Sequence, residues 1–247
     1  MKKEILYTNK NYIKKIKAKI LKSRKARSGI LLFKITRLIS RILSLPGIIS
    51  SSWALTNNLK RNYKNINNAE YLLRKHKTQF AEFEKSLDLG CGSRPRNPFK
   101  ALESYGIDIR DDLTQNIKQA DLEVDPIPFK DNFFDCCCAY DFIEHIPRTS
   151  YMNGKKRSSF IEIMNEIYRV LKPNGYFLHR TPAFPAKQAF SDPTHVNIIT
   201  EDTFPLYFCL PEKHAANLGY GFNGEFELVD QAWEADRWII CLLKAIK

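Results

Sequence analysis

The stretch Leu87-Asp88-Leu89-Gly90-Cys91-Gly92-Ser93 decides the fold. Lys85–Leu89 reads as a short buried strand that runs straight into a turn with two glycines. Glycine reaches positive φ without steric cost and lets a ligand approach bare backbone. An acid, Asp108, ends the next apolar run, Tyr105-Gly106-Ile107-Asp108, about 20 residues further on. A carboxylate there is placed to accept from both hydroxyls of a ribose. In doubly wound sheets ligands bind at the carboxyl ends of the strands, near the point where strand order reverses. The spacing therefore predicts a nucleoside site at adjoining strand ends.

Outward from this point, short apolar runs alternate with helical segments, the pattern of a parallel α/β sheet. Predicted strands are 85–89, 105–109, 119–122, 133–140 and 176–181. The clearest helix covers 159–171, with a Ser cap, apolar Ile161, Ile163, Met164, Ile167 and Leu171, and a stop at Lys172-Pro173-Asn174-Gly175. Segments 226–229 and 238–245 read as two last strands forming an antiparallel hairpin at the sheet edge. Asn68 is positioned to cap a helix running to about Phe83.

Five stretches in this order resemble the class I S-adenosylmethionine-dependent methyltransferases of the type 11 group. They are Asp88-Leu89-Gly90-Cys91-Gly92, Asp108, the run from Asp121-Leu122-Glu123 through Pro126 to Asp135, Phe142-Ile143-Glu144-His145-Ile146, and Glu166 through Arg169-Val170-Leu171-Lys172-Pro173-Asn174-Gly175-Tyr176. The resemblance covers roughly residues 85–203. It implies a Rossmann-like, seven-stranded, mostly parallel sheet with flanking helices, and S-adenosylmethionine as cofactor. It implies that Asp88 orders the glycine turn and favours the methionine ammonium, that Gly90 and Gly92 give backbone room, and that Asp108 holds the ribose. Asp121 would accept from the adenine amino group, with the Leu122 backbone beside it and Tyr140 in the same cofactor site. Glu144-His145 could be catalytic, but such a pair often anchors the following loop, and that role is the one expected of His145. One departure stands out: Arg94 replaces a frequent third glycine, and so little chain separates Leu89 from Tyr105 that the usual first helix must be short or absent.

The loop after the fifth strand carries Ser191-Asp192-Pro193-Thr194-His195-Val196-Asn197. Loops at this edge carry substrate sites, and the stretch resembles a D-P-x-H element of type 11 proteins encoded near bacterial surface-polysaccharide genes. His195 is the expected general base or substrate-binding group, with Asp192 orienting it. His179 is expected to face the core, and His76 and His214 show no partner signal. Enzymes that methylate amino groups of nucleic-acid bases usually have an Asn/Asp-Pro-Pro-Tyr element after strand four. Tyr140-Asp141-Phe142-Ile143 stands there instead, which favours O-methylation.

The net charge of +12 is unevenly spread. Residues 1–80 hold 20 Lys/Arg against two acids, Glu4 and Glu70, for +18; the rest hold 19 Lys/Arg against 25 acids, for −6. Leu31, Ile35, Leu38, Ile42, Leu45 and Ile49 recur at helical spacing, with Lys34, Arg37 and Arg41 on another face. The expected division is a basic amphipathic extension, 1–67, and a methyltransferase domain, 68–247. Three cations interrupt the apolar stretch, so it is read as lying on an anionic membrane surface rather than spanning it. Packing on the domain and contact with nucleic acid stay open as alternatives. Six cysteines without CxxC or zinc-like spacing fit reduced core residues in a cytoplasmic protein peripheral to the inner face of the membrane, and no metal is expected. The leading expectation is a methyltransferase acting on the hydroxyl of a sugar, glycan or other small or lipid-linked acceptor. The competing expectations are an RNA-binding or RNA-modifying enzyme and a catalytically silent scaffold.

Overall fold

A computed structural model describes residues 65–80, 82–110 and 116–247. The expectations for the extension, including the stripe from Leu31 to Ile49, lie outside the described residues. Among the described residues no helix is long and apolar enough to cross a membrane.

The strands are β1 Asn65–Ile66, β2 Lys85–Leu89, β3 Glu103–Asp108, β4 Ile117–Gln119, β5 Phe134–Tyr140, β6 Ser150–Met152, β7 Lys155–Arg157, β8 Leu171–Pro182, β9 Phe226–Glu234 and β10 Trp238–Ala245. The main sheet runs in the order β1-β9-β10-β8-β5-β2-β3-β4. Strand β10 is antiparallel to both neighbours, and the other pairings are parallel. The sheet thus has eight strands rather than seven, because Asn65–Ile66 adds to the far side of β9. The β9–β10 hairpin forms as expected, but β9 extends to Glu234. Asp230 and Gln231 hide that extension in the sequence. Gln231 is buried, donating to the Glu201 carbonyl and accepting from the Cys241 thiol.

Strand β5 shows how a parallel sheet uses both faces. Its three adjacent cysteines are all buried and free. Successive side chains in a strand point to opposite faces. Cys137 and Ala139 therefore join one core layer, with Ile163, Met164 and Ile167 of helix α2, Ser159–Val170. Cys136 and Cys138 join the other layer, with Leu72 and Leu73 of helix α1, Ala69–Lys75. Burial on both faces pushes the thiols of Cys137 and Cys138 well above the ordinary cysteine range.

Helix α1 starts where expected, with Asn68 Oδ1 accepting from Tyr71 N at 3.0 Å. It ends early, at Lys75, followed by a 3₁₀ turn Lys77–Gln79. His76 leaves the helix and its Nε2 meets Asp230 Oδ2 at 2.7 Å, so this histidine does have a partner. Strand β4 lies at 117–119 rather than 119–122. Leu122 is buried in a turn instead. Its apolar character marked burial and not a strand.

No helix follows β2. The loop 90–102 is held by Asp88, whose Oδ2 accepts from Arg96 N at 2.7 Å, and by Asn97, which bonds both polar backbone atoms of Ala101. The loop lies so close to β3 that a Cβ on Gly106 would sit 2.4 Å from the Cys91 sulfur. Of the connections between the parallel strands β2, β3, β4, β5 and β8, the described residues form an α-helix only in β5–α2–β8.

Candidate functional site

The carboxyl ends of β4, β3, β2 and β5 stand side by side and bring most of the expected cofactor residues together. Gly90 has φ +65°, and a Cβ there would lie 2.6 Å from Phe142 Cδ2. Only bare backbone fits between the strand end and that ring. Asp108 ends β3 and ties the loop back: its Oδ2 accepts from Gly92 N at 2.7 Å and its Oδ1 from Arg110 Nε at 2.8 Å. Burial works to raise its pKa, but the Arg110 and Gly92 donors outweigh burial and hold it below the ordinary carboxylate value.

Asp88 is fully buried. Besides Arg96 N, it accepts from the Cys138 thiol at 3.3 Å, and the Arg96 guanidinium stands 3.7 Å away. Burial, the dominant cause, raises its pKa from 3.8 to about 6 against these favourable contacts. Such a carboxylate carries a charge that the fold tolerates at a cost, and a cationic ligand group near it would lower that cost.

That cost has a readable pH dependence. Below pH 3.8 the group is protonated in both the folded and the unfolded chain. Between 3.8 and about 6 the folded protein keeps a proton that the unfolded chain has released. Stability contributed by this site therefore falls as pH rises through that window and is flat above it, a loss of about 3 kcal/mol. Asp88→Asn abolishes the dependence. Urea unfolding of the two proteins at pH 4.5 and 7 is expected to show the variant gaining on the wild type as pH rises; a difference that does not change with pH refutes the assignment.

Asp121 is held within its own turn, its Oδ1 accepting from Glu123 N at 3.1 Å and its backbone N bonding Asp125 Oδ2. Neighbouring Leu122 is buried. Tyr140 closes β5 with the Arg96 guanidinium 5.3 Å over its ring. With Asn97, Pro98, Arg180 and Glu234 it lines a cleft of about 380 Å3.

The loop after β8 folds onto the turn after β5. Val196 N and Asn197 N both donate to the Glu144 carbonyl, and Asn197 Nδ2 donates to Ile143 O. This docking sets the His195 ring 4.9 Å from the His145 ring, edge to face. His195 Nδ1 bonds the carbonyl of Gln188 at 3.1 Å. The expected role of Asp192 is corrected here. It does not orient the His195 ring. The turn at Pro193 sends its Oδ1 to Thr194, whose N and Oγ1 both donate to it, at 2.8 and 2.6 Å. Thr194 Oγ1 in turn meets His145 Nδ1 at 3.0 Å. Asp192 therefore acts on His145, through Thr194.

Glu144 lies beneath the pair, 1% exposed. Its Oε2 accepts from the Thr181 hydroxyl, while Oε1 has no hydrogen-bond partner among the described residues. Burial is the main cause that lifts its pKa to about 7. The sequence left Glu144-His145 open between a catalytic role and an anchoring one, and the backbone of Glu144 does anchor the loop. The structure brings the side chains of both residues, together with Thr194, next to His195. The one sequence signal for this was their position just past a strand end. His179 faces the core as expected, fully buried against Phe204, and burial lowers its pKa to about 3.

Beside this cluster opens a cleft of about 710 Å3, lined among others by Arg148, Lys156, Phe160, Tyr207 and Tyr220. Arg148 links it to the histidine loop, donating to Asn197 Oδ1 and Ile198 O. The Tyr207 and Tyr220 rings stack 6.4 Å apart at its exposed rim.

Residues 87–179 match the model of a protein family described as a methyltransferase domain, of the type 11 group. The match runs from β2 into β8 and includes the glycine turn, Asp108 and Glu144-His145. Solved structures of similar fold include a SAM-dependent methyltransferase from Archaeoglobus fulgidus (18% identity, 71% of this chain and 92% of that chain, TM-score 0.44). A putative methyltransferase from Bacillus halodurans C-125 (16%, 72% and 99%, 0.47) and the [4+2]-cyclase SpnF (14%, 74% and 86%, 0.46) are further examples. A comparison with curated proteins found no match.

Proposed function

Residues 87–179 belong to the class I, type 11 methyltransferases, whose cofactor is S-adenosylmethionine, and we propose that this enzyme methylates the hydroxyl oxygen of a sugar, glycan or lipid-linked acceptor. The cofactor supplies a methyl group on a sulfonium, already a good leaving group. Gly90 and Gly92 would give it backbone room, Asp108 would hold its ribose, and Asp88 would balance the charge of its methionine ammonium. Asp121, Leu122 and Tyr140 complete the proposed set around the adenosine.

The observation that carries the acceptor reading is the His145–His195 pair at the same sheet edge. Because Gln188 O can only accept, His195 carries its proton on Nδ1, leaving a lone pair on Nε2. That nitrogen can take the proton of an acceptor hydroxyl as oxygen attacks. The neighbouring cleft, with stacked tyrosines at its rim and Arg148 and Lys156 in its wall, offers flat apolar faces beside charged donors. Such a lining suits an acceptor that is both hydroxylated and ring-shaped.

The basic extension supports a location at an anionic membrane surface, where its cations and apolar stripe would act together. The experiment is transfer of labelled methyl from S-adenosylmethionine by the full chain. It is offered glycan acceptors free in solution, lipid-linked acceptors on anionic vesicles, and RNA. Label is expected on the hydroxyl acceptors, with vesicle-borne ones favoured at low salt. Label on RNA alone overturns the proposal.

A further inference from the structure

We propose that Glu144, His145 and His195 form a binding site for one divalent transition-metal ion of the zinc type. One nitrogen of each ring and one carboxylate oxygen lie within 4.8 Å of one another. Ligand atoms around a tetrahedral zinc, bound at 2.0–2.2 Å, sit about 3.3 Å apart, so small side-chain rotations close the site.

The surrounding hydrogen bonds prepare each ligand. His195 Nδ1 faces the Gln188 carbonyl, an acceptor, so Nδ1 is protonated and Nε2 holds the lone pair. The same logic fixes His145 by one more step. The Thr194 hydroxyl spends its only proton on Asp192 Oδ1. It must then accept at its contact with His145 Nδ1, which makes Nδ1 the protonated nitrogen. Both imidazoles are thus held in the Nε2 ligand form, one by a backbone carbonyl and one by a carboxylate acting through a hydroxyl. Metal-binding histidines are held in this way, with the outer N–H donated to a carbonyl or a carboxylate.

The carboxylate points to the same conclusion independently. Glu144 is 1% exposed, its Oε2 is satisfied by Thr181, and its Oε1 is buried without a hydrogen-bond partner among the described residues. An unmet buried carboxylate oxygen is costly, and a cation beside two imidazole lone pairs removes the cost. Two histidines and one carboxylate leave coordination positions open, as sites that act on a ligand do. Nitrogen-rich ligands favour zinc, cobalt, nickel or ferrous iron over magnesium. Resting on the hydroxyl-acceptor reading above, but with His195 Nε2 ligating the ion instead of taking the proton itself, the ion would hold the acceptor hydroxyl and lower its pKa, with the proton leaving to water.

The sequence conceals this site because its halves lie about 50 residues apart, on the turns after β5 and β8, in a spacing that matches no zinc motif.

The test is calorimetry and visible absorption with Co2+, Zn2+ and Mg2+ on the full chain after treatment with chelator. Co2+ and Zn2+ are expected to bind one to one, Co2+ with visible ligand-field bands, and Mg2+ is expected not to bind. His145→Ala and His195→Ala should weaken Zn2+ binding at least tenfold. Thr194→Val, which touches no ion, should weaken it by roughly 10–100-fold through loss of the outer hydrogen bond. Thermal unfolding of each variant checks folding, and His195 lies far enough from the core for its variant to serve if Glu144→Gln fails to fold. Binding that is absent, or equal in wild type and His195→Ala, overturns the site. Chelator-insensitive methyl transfer that still requires His195 also overturns it, while keeping the methyl-acceptor reading. Stoichiometric Zn2+ binding without transfer to any hydroxyl acceptor supports the site and removes that reading instead.

Discussion

Replacing His195 with alanine is expected to lower turnover by roughly 10²–10⁴ while leaving S-adenosylmethionine affinity within about twofold, the range for loss of a positioned proton-transfer group. Among the described residues the ring makes no hydrogen bond to the glycine turn; it bonds Gln188 O and packs edge to face on His145. The loss should therefore fall on chemistry at the acceptor and not on the cofactor. The same drop is expected whether Nε2 takes the proton itself or ligates the ion that acidifies it. Asp192→Ala serves as the contrast. Its carboxylate accepts from Thr194, which in turn meets His145, so a smaller loss is expected than for His195→Ala. Stopped-time assays under saturating cofactor measure both. Near-normal turnover in a folded His195→Ala protein would reduce His195 to a loop residue.

Asp108→Ala is expected to weaken S-adenosylmethionine binding at least tenfold, since each hydrogen bond to a charged group is worth roughly 1.5–3 kcal/mol. Two effects add. The ribose would lose its carboxylate, and the glycine turn would lose the acceptor of Gly92 N. Asp108→Asn separates them, because the amide oxygen can still accept from Gly92 N while the charge is gone. Its affinity should fall between the other two. Calorimetry with S-adenosylmethionine and S-adenosylhomocysteine measures the series. Unchanged affinity in a folded Asp108→Ala protein would move the ribose elsewhere.

The strand, glycine turn and strand-end acid were legible because they are local. Strand, glycine turn and Asp108 are read from a run of little more than 20 residues, and their chemistry is that of backbone conformation and strand ends. The loop in place of the first helix was legible too, since so few residues separate Leu89 from Tyr105. The failures were of a different kind. Leu122 reads as strand because burial and strand share an apolar signature; its turn is held by Asp121 and Asp125. Strand β9 was cut short at Val229 because Asp230 and Gln231 look like solvent-facing residues, although Gln231 is buried on the Glu201 carbonyl and the Cys241 thiol. Polar residues satisfied by distant partners do not declare themselves along the chain.

By itself, then, the sequence determined the fold class, the burial of the three adjacent cysteines, and the glycine turn with an acid at the neighbouring strand end. Each follows from periodicity and turn chemistry, which act over a few residues. Only the tertiary structure decided that His145 stands against His195, that Asp192 reaches His145 through Thr194, and that Glu144 Oε1 has no hydrogen-bond partner among the described residues. Those facts arise when Val196 and Asn197 dock on the Glu144 carbonyl, a contact between chain segments some 50 residues apart, and hydrogen bonds across such a distance are fixed by packing and not by spacing.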